Sequence, residues 1–485
     1  MFLKDKLTID GEREKIEARF VAGGNEQDRV FYGDISSPTV RTDSVLMIAV
    51  MAAWERRTVA TMDIGGAYLN ADMEGPAVHM RINKQVSELL CQLDESYCPF
   101  VQTNGTIVVK LLKALYGCVQ SSLLWYRHLK SSLESIGFEA NAKDDCVFNL
   151  NRDGYQCTAC VHVDDVLLTC SDNYVLDCVI LDINNLYKET TVRRGKSLPY
   201  LGMLFDFSEP GVAMVSMDQY VSDFLKEYEV SGTASSPATD RLFSVDPDIP
   251  LLDLTRKDQL RSRVAKVLFC AKRVRPDLLP VVGWLATRVT APTEQDWDKL
   301  WRMLQYVNGT KEFKLQLKVH EELKVILFAD ASFAVHADGK SHSGIVTTLG
   351  EGAIDAESTK QKLVTTSSAE SELVTLAGAV MVAIHKKEFL EYQGYQVGPA
   401  LIYQDNQSAI TLARKGKSTS PRTRHVNIRY FFVHDRINSG EVAVEYLSTD
   451  DMLADVLTKP LQGGRFKKLR DRLLNRCVEV EAVQE

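Results

Sequence analysis

The run CTACVHVDDVLLTC, residues 157–170, leaves the chain few local choices. Apolar and β-branched residues on both sides of Asp164 and Asp165 read as two strands, with the acids at the turn that joins them. Because Asp favours turns, an isolated pair of this kind signals a turn and nothing more. It gains chemical meaning when a separate strand supplies a third carboxylate. Asp63, in TVATMDIGGAYLN, is such a residue, again after a β-prone run and five positions before Tyr68. Three carboxylates brought from separate strands can bridge two Mg²⁺ ions lying about 4 Å apart.

The surroundings of this hairpin are those of a large protein with packed cores. A length of 485 residues exceeds what one hydrophobic core usually serves and predicts roughly three domains. Hydrophobic residues make up 45% and charged residues 25%, which excludes collagen-like, coiled-coil and disordered classes. The N-terminus MFLKDKLTIDGEREK has no apolar core of a signal peptide, and the apolar patch from Ser44 to Trp54 is far too short to span a membrane. A soluble, unsecreted protein is expected. Ten cysteines show neither disulfide nor zinc spacing; Cys157 and Cys160 fall on opposite faces of a strand, so they read as core thiols.

The polar, Pro-rich stretch from Ser231 to Pro250 disfavours helix and central strand and reads as a seam between two lobes. After it, apolar residues at three- and four-residue intervals, interrupted by Pro276, Pro280 and Pro292, predict a helical connector. From Lys324 the pattern becomes strand, strand, long helix from about Ser367 to Tyr392, strand: an α/β order. The half before Ser231 mixes strands such as TIVVKLL with helical stretches such as SSLLWYRHLKSSLESIGF.

Several motifs now carry a resemblance. DIGGAY resembles the first palm motif of reverse transcriptases, and HVDD their Tyr-x-Asp-Asp turn. Between them KLLKALYGCVQSSLLWY is similar to the copia-family run Lys-Leu-x-Lys-Ser-Leu-Tyr-Gly-Leu-Lys-Gln-Ala-Pro-x-x-Trp-Tyr. Upstream EARFVAGG resembles the family's Lys-Ala-Arg-Leu-Val-Ala-Arg-Gly, and downstream PYLGMLFDF its Phe-Leu-Gly-Ile segment. Order and spacing agree as well. In the C-terminal part, LFADAS, SSAESELVTL, YQDNQSA and ADVLTKPL are similar to the ribonuclease H end of copia-type retrotransposon polyproteins.

The resemblance implies an α+β and α/β multidomain protein: reverse-transcriptase palm and truncated fingers with the start of a thumb over 1–230, linker and helical connection over 231–320, and a ribonuclease H-like α/β domain over 321–485. It implies an RNA-directed DNA polymerase in which Asp63, Asp164 and Asp165 hold two Mg²⁺ ions, with Mn²⁺ as an alternative. Tyr68 would lie under the sugar of the incoming nucleotide and exclude a 2′-hydroxyl. Tyr116, Gly117 and Gln120 would border the nucleotide and template pocket, and Arg19 would meet the triphosphate. Four further acids, Asp330, Glu372, Asp405 and Asp455, would hold a second metal pair for hydrolysis of the RNA strand of a hybrid. In SAESEL, Glu370 competes with Glu372; the latter is chosen because Glu-Leu-x-x-Leu continues as a buried helix stripe. The run RKGKSTSPRTRHVNIR has six basic residues and no acid from Arg414 to Arg429; there Arg422, Arg424, His425 and Arg429 would lie along the hybrid duplex. A solvated charged face is the plainer reading.

Expected partners are therefore an RNA template, a DNA primer, an RNA–DNA hybrid and dNTPs, without a membrane, with homodimerisation left open. Expected residence is cytoplasmic, in a virus-like particle, or nuclear. Departures from the family pattern weigh on activity: Glu17 replaces a lysine, His162 the tyrosine of the Asp-Asp turn, and Val119-Gln120-Ser121-Ser122 the run Lys-Gln-Ala-Pro. The N-terminal start inside the fingers reads as that of a shortened element. The rival expectation is a truncated, catalytically impaired remnant that at most binds nucleic acid, while the complete palm order disfavours a cellular ribonuclease H. Net charge of −8 fits neither nucleic-acid reading well.

Overall fold

The strands that the acid-bearing runs predict all form. The computed structural model describes residues 2–7, 13–33, 35–415 and 424–476, with side chains described except at 2–7, 13–19 and 424–428. Tyr155–His162 and Asp165–Cys170 make an antiparallel hairpin, and Thr58–Ile64 pairs with the second of these strands. They are the centre of a six-stranded sheet in the order 190–194, 58–64, 165–170, 155–162, 144–152, 139–141. Each of the three central strands is buried on both sides, which suits their near-continuous apolar composition. Cys160 packs into one core and Cys157 into the other, as the two-residue period of a strand requires.

A second, antiparallel sheet joins distant parts of the chain. Its order is 197–200, 203–206, 212–216, 315–319, 350–351, so strands from before the Pro-rich seam pair with strands from after it. The seam itself has no helix or strand from 231 to 250, yet it is packed rather than free. Phe243 is 8% exposed and lies edge-on to Trp284 and His336. The connector forms helices Leu254–Ala271, Leu279–Arg288 and Glu294–Asn308, separated around Pro276 and Pro292 as expected, whereas Pro280 interrupts nothing and sits in the first turn of the second helix, where its missing N–H costs no bond.

The C-terminal sheet has the order 355–360, 342–348, 326–332, 400–404, 442–446. Its first three strands are antiparallel and the last two run parallel to 326–332. The long helix Ser368–Tyr392 covers one face, opening on an N-cap in which Ser367 accepts from the Glu370 amide. One core cluster runs from helix Thr42–Trp54 through the connector to this sheet. Helix Thr42–Trp54 is buried on nearly every side, which explains its uninterrupted apolar sequence. Among the described residues, no helix is long and apolar enough to cross a membrane.

A histidine chain supports the edge of this sheet. Ser358 Oγ donates to the Leu457 carbonyl at 2.7 Å and therefore accepts from His342 Nε2 at 2.8 Å. His342 Nδ1 then accepts from His336 Nε2 at 3.1 Å, an order that requires the His342 ring to be neutral. Burial favours the neutral form of both rings, pushing His336 down to about 4 and His342 down to about 3. Since the unfolded chain takes up these protons first, stability is fully present above the ordinary histidine range and is lost as pH falls from 6.5 toward those values. Urea unfolding should show an extra loss of up to about 1.4 kcal/mol per pH unit below 6.5 for each histidine. His342→Gln should remove its share of that slope; equal slopes in both proteins would rule out this account.

Candidate active sites

The polymerase-type acids meet where the hairpin and its neighbour strand end together. Asp63 is directly opposite Asp165 in the antiparallel register, so both side chains stand on one face of the sheet. Asp164 occupies the turn, and its carbonyl accepts from the Ile64 amide at 2.9 Å. Burial, then the charges of Asp164 and Asp63, push Asp165 up to about 6. Arg193 offsets part of this rise. Tyr68 lies on the short helix Ala67–Asn70 just after this strand, and burial followed by the Asp164 charge raises its hydroxyl. Its ring meets Tyr116 edge-on, with centroids 4.4 Å apart.

Gly117 shows why a motif glycine stands where it does. It has φ of +92°, and a Cβ there would lie 2.1 Å from the Ala22 carbonyl oxygen, while the Ala22 amide donates to Tyr116 O at 2.7 Å. The segment after Arg19 is thus laid directly across Tyr116 and Gly117. Gln120 is only 5% exposed and its amide is engaged: its Oε1 accepts from Gln27 at 3.3 Å and its Nε2 donates to Met73 Sδ at 3.1 Å. It is a buried bracket between Gln27 and Met73.

The second acid set is tighter. Asp330, Glu372 and Asp405 each offer a carboxylate oxygen within 4.8 Å of the other two, at one end of a cleft of about 560 Å³. Asp330 is on strand Ile326–Ser332, Glu372 in the first turns of the long helix, and Asp405 just past strand Ala400–Gln404. Burial, then Asp330 and Asp405, drive Glu372 well above the usual carboxylate range. Gln404 donates to Glu372 at 3.3 Å and Thr449 Oγ1 to Asp405 at 2.8 Å. Two buried acids and the half-buried Asp405, with oxygens this close together, form a group that could hold a metal ion.

The rivalry between Glu370 and Glu372 has a geometric outcome. Glu370 turns back to accept from the Thr366 amide and hydroxyl, both at 2.8 Å, completing a capping arrangement. It is therefore occupied at the helix start, and Glu372 alone joins the acids. Asp455 stands apart from that triad. It is bonded to Lys459 and Arg465, and burial followed by Asp330 pushes it up to about 6. Lys459 also reaches Asp330 at 3.2 Å, and Thr458 Oγ1 donates to the other Asp330 oxygen. The helix Asp455–Thr458 can come this close because the facing residue is Gly344, where a Cβ would lie 2.7 Å from Thr458 Cγ2.

Of the basic run, Arg429 lies half-exposed on helix Arg424–Asn438, and Arg414 donates to the Val444 carbonyl at 2.8 Å. Arg422 and the side chains of Arg19, Arg424 and His425 lie outside the described residues. Two residues stand in the quoted motifs without being given a role: Lys459, whose spacing of four from Asp455 could have placed it on the same helix face, and Trp125, whose role depends on a contact across the fold.

With this geometry in hand, the comparisons are specific. Residues 3–239 match the family described as reverse transcriptase (RNA-dependent DNA polymerase). The N-terminal half belongs to the reverse transcriptase family. The whole chain is similar to the retrovirus-related Pol polyprotein from transposon RE2 of Arabidopsis thaliana, at 28% identity over 96% of this chain and 31% of that protein. It is 25% identical to the Pol polyprotein from transposon TNT 1-94 of Nicotiana tabacum, over 96% of this chain and 35% of that one. To the transposon Ty1-ER2 Gag-Pol polyprotein of Saccharomyces cerevisiae it is 23% identical, over 95% and 26% respectively. The chain thus spans about a third of the length of the curated relatives it matches, and this similarity continues beyond residue 239 to cover nearly the whole chain.

Proposed function

We propose that the chain is an RNA-directed DNA polymerase that also cleaves the RNA strand of its RNA–DNA hybrid product. The observation that carries this reading is the pairing of two separate acid sites, Asp63 opposite Asp165 beside Asp164 and the triad Asp330, Glu372 and Asp405, in a chain whose residues 3–239 match the reverse transcriptase family. Mg²⁺, or Mn²⁺ in its place, would be held by these residues and would supply the Lewis acidity that activates the attacking oxygen and steadies the leaving one.

In the polymerase site Asp63 and Asp164 would hold the metal ions, with Asp165 as the less directly engaged third carboxylate. The ring of Tyr68 supports the deoxyribose, and Tyr116, Gly117 and Arg19 border the nucleotide. In the nuclease site Asp330, Glu372 and Asp405 would hold the metal ions, while Asp455 keeps Lys459 and Arg465 in place beside them. Arg422, Arg424, His425 and Arg429 would steady the duplex backbone. The division into polymerase, residues 1–230, connection, 231–320, and nuclease, 321–485, belongs to the same proposal, as do an RNA template, a DNA primer and dNTPs as partners, homodimerisation, and residence in a cytoplasmic virus-like particle or the nucleus.

A catalytically impaired remnant is the second reading, favoured by Val119 where the family has a lysine and by Ser121 and Ser122 where it has Ala-Pro. Primer extension on an RNA template and cleavage of a labelled hybrid separate the two. The Asp164→Asn, Asp165→Asn variant should lose extension by on the order of 10³-fold and keep hybrid cleavage, and Asp330→Asn should do the reverse. Cleavage without extension in the unaltered protein would sink the polymerase half; neither activity from folded protein would leave the remnant.

A further inference from the structure

The turn that carries Asp164 is strained, and one buried side chain holds it. Val163 and Asp164 form the two-residue connection between His162 and Asp165, which pair across the hairpin. Val163 has φ of +58°, a left-handed conformation that a β-branched residue adopts only under constraint. Short hairpins ordinarily place Asn or Gly there. What constrains it is visible: the Trp125 indole Nε1 donates to the Val163 carbonyl at 2.6 Å. Trp125, 1% exposed on helix Ser121–Ser135, is locked in turn by the rings of His128, stacked at 5.8 Å, and Tyr187, edge-on at 5.6 Å. The next carbonyl, that of Asp164, is held by the Ile64 amide, adjacent to Asp63. Both peptide planes of the turn are therefore pinned, one by the palm strand and one by the helix.

We infer that Trp125 is a positioning residue for Asp164, fixing the left-handed turn so that this carboxylate faces the same space as Asp63. The inference rests on the reading that these acids hold divalent cations. Without the indole N–H the Val163 carbonyl is orphaned, and the turn can relax toward negative φ, rotating the peptide that carries Asp164. A tryptophan that merely fills the core would give no such dependence on its N–H.

The test replaces Trp125 by 3-benzothienylalanine, which keeps the bicyclic shape and removes the donor, and separately makes Trp125→Phe, both in full-length protein carrying Asp330→Asn to silence the second acid site. Mn²⁺ titration followed by electron paramagnetic resonance reads the affinity of the polymerase-type acids without requiring turnover. Binding about tenfold weaker with benzothienylalanine, at an unchanged melting temperature, is the expected result. Affinity within twofold of the parent with benzothienylalanine overturns the inference, as does a parent that binds no Mn²⁺ at these acids. Primer extension by the unaltered chain is measured alongside: if it is absent while the Mn²⁺ shift is present, the polymerase reading fails and the positioning role stands.

Discussion

Lys386→Ala should destabilise the chain by about 3 kcal/mol in urea unfolding and lower its cooperativity, because it leaves buried carboxylates without their cation. Lys386 is fully buried on the long C-terminal helix, bonded to Asp43 at the start of helix Thr42–Trp54 and to Asp355 at 2.9 Å. Arg41 still reaches Asp43 at 2.9 Å, which keeps the expected loss near the lower end of the range for broken buried pairs. The same seam carries neutral bonds: Gln156 Nε2 to the Gln393 carbonyl at 2.7 Å and Asn141 Nδ2 to the Phe389 carbonyl at 3.1 Å. Adding Asp355→Asn to the lysine variant should recover part of the loss, since Asp355, which lacks the Arg41 bond that Asp43 keeps, is then uncharged. A cost under about 1 kcal/mol for Lys386→Ala alone would mean that the contact between the two ends of the chain does not depend on this pair.

Glu372→Gln should separate stability from catalysis in the opposite sense. The wild-type carboxyl is buried against Asp330 and Asp405, so its charged form is held at a cost in metal-free protein. The amide has nearly the same shape, can keep the bond from Gln404 and carries no charge. Metal-free protein should therefore melt at a higher temperature, by several degrees for each ~1–2 kcal/mol recovered, while hybrid cleavage falls on the order of 10³-fold. The sign depends on pH: the folded pKa lies above the unfolded one, so the penalty is absent in acid and grows as pH rises past the ordinary glutamate range. The thermal advantage of the variant should vanish near pH 4. A variant that melts at or below the wild-type temperature at pH 8 would show that the acids are not repelling one another as their burial implies.

These outcomes bear on how much could be read before any fold was known. The hairpin of residues 155–170, the long helix and the acid-bearing strands followed from local pattern alone, because alternation, caps and turn residues act over a few positions. Asp330, Glu372 and Asp405 were nameable because their motifs are short and contiguous. Their assembly was an expectation drawn from resemblance. The position of Asp455 was not legible: its motif is intact, but whether it joins the triad or pairs with Lys459 depends on how close Gly344 lets its helix approach. Glu370 was undecided for the same kind of reason, since its cap bonds to Thr366 compete with a site formed by other strands.

The Pro-rich seam taught the converse. Composition correctly excludes helix and strand from it, yet says nothing about Phe243 packing against Trp284 and His336. Gln120 likewise reads as a pocket residue in its motif and is a buried bracket in the fold.

By itself, then, the sequence determined the local elements and the chemical identity of seven candidate acids, because strand alternation, turn preference and carboxylate chemistry are properties of short segments. Only the tertiary structure decided which acids stand together, which are neutralised by Lys459 and Arg465, and what holds Val163 in its left-handed turn. Those outcomes are set by contacts between residues tens to hundreds of positions apart, where desolvation and close approach, rather than local preference, dominate the energy.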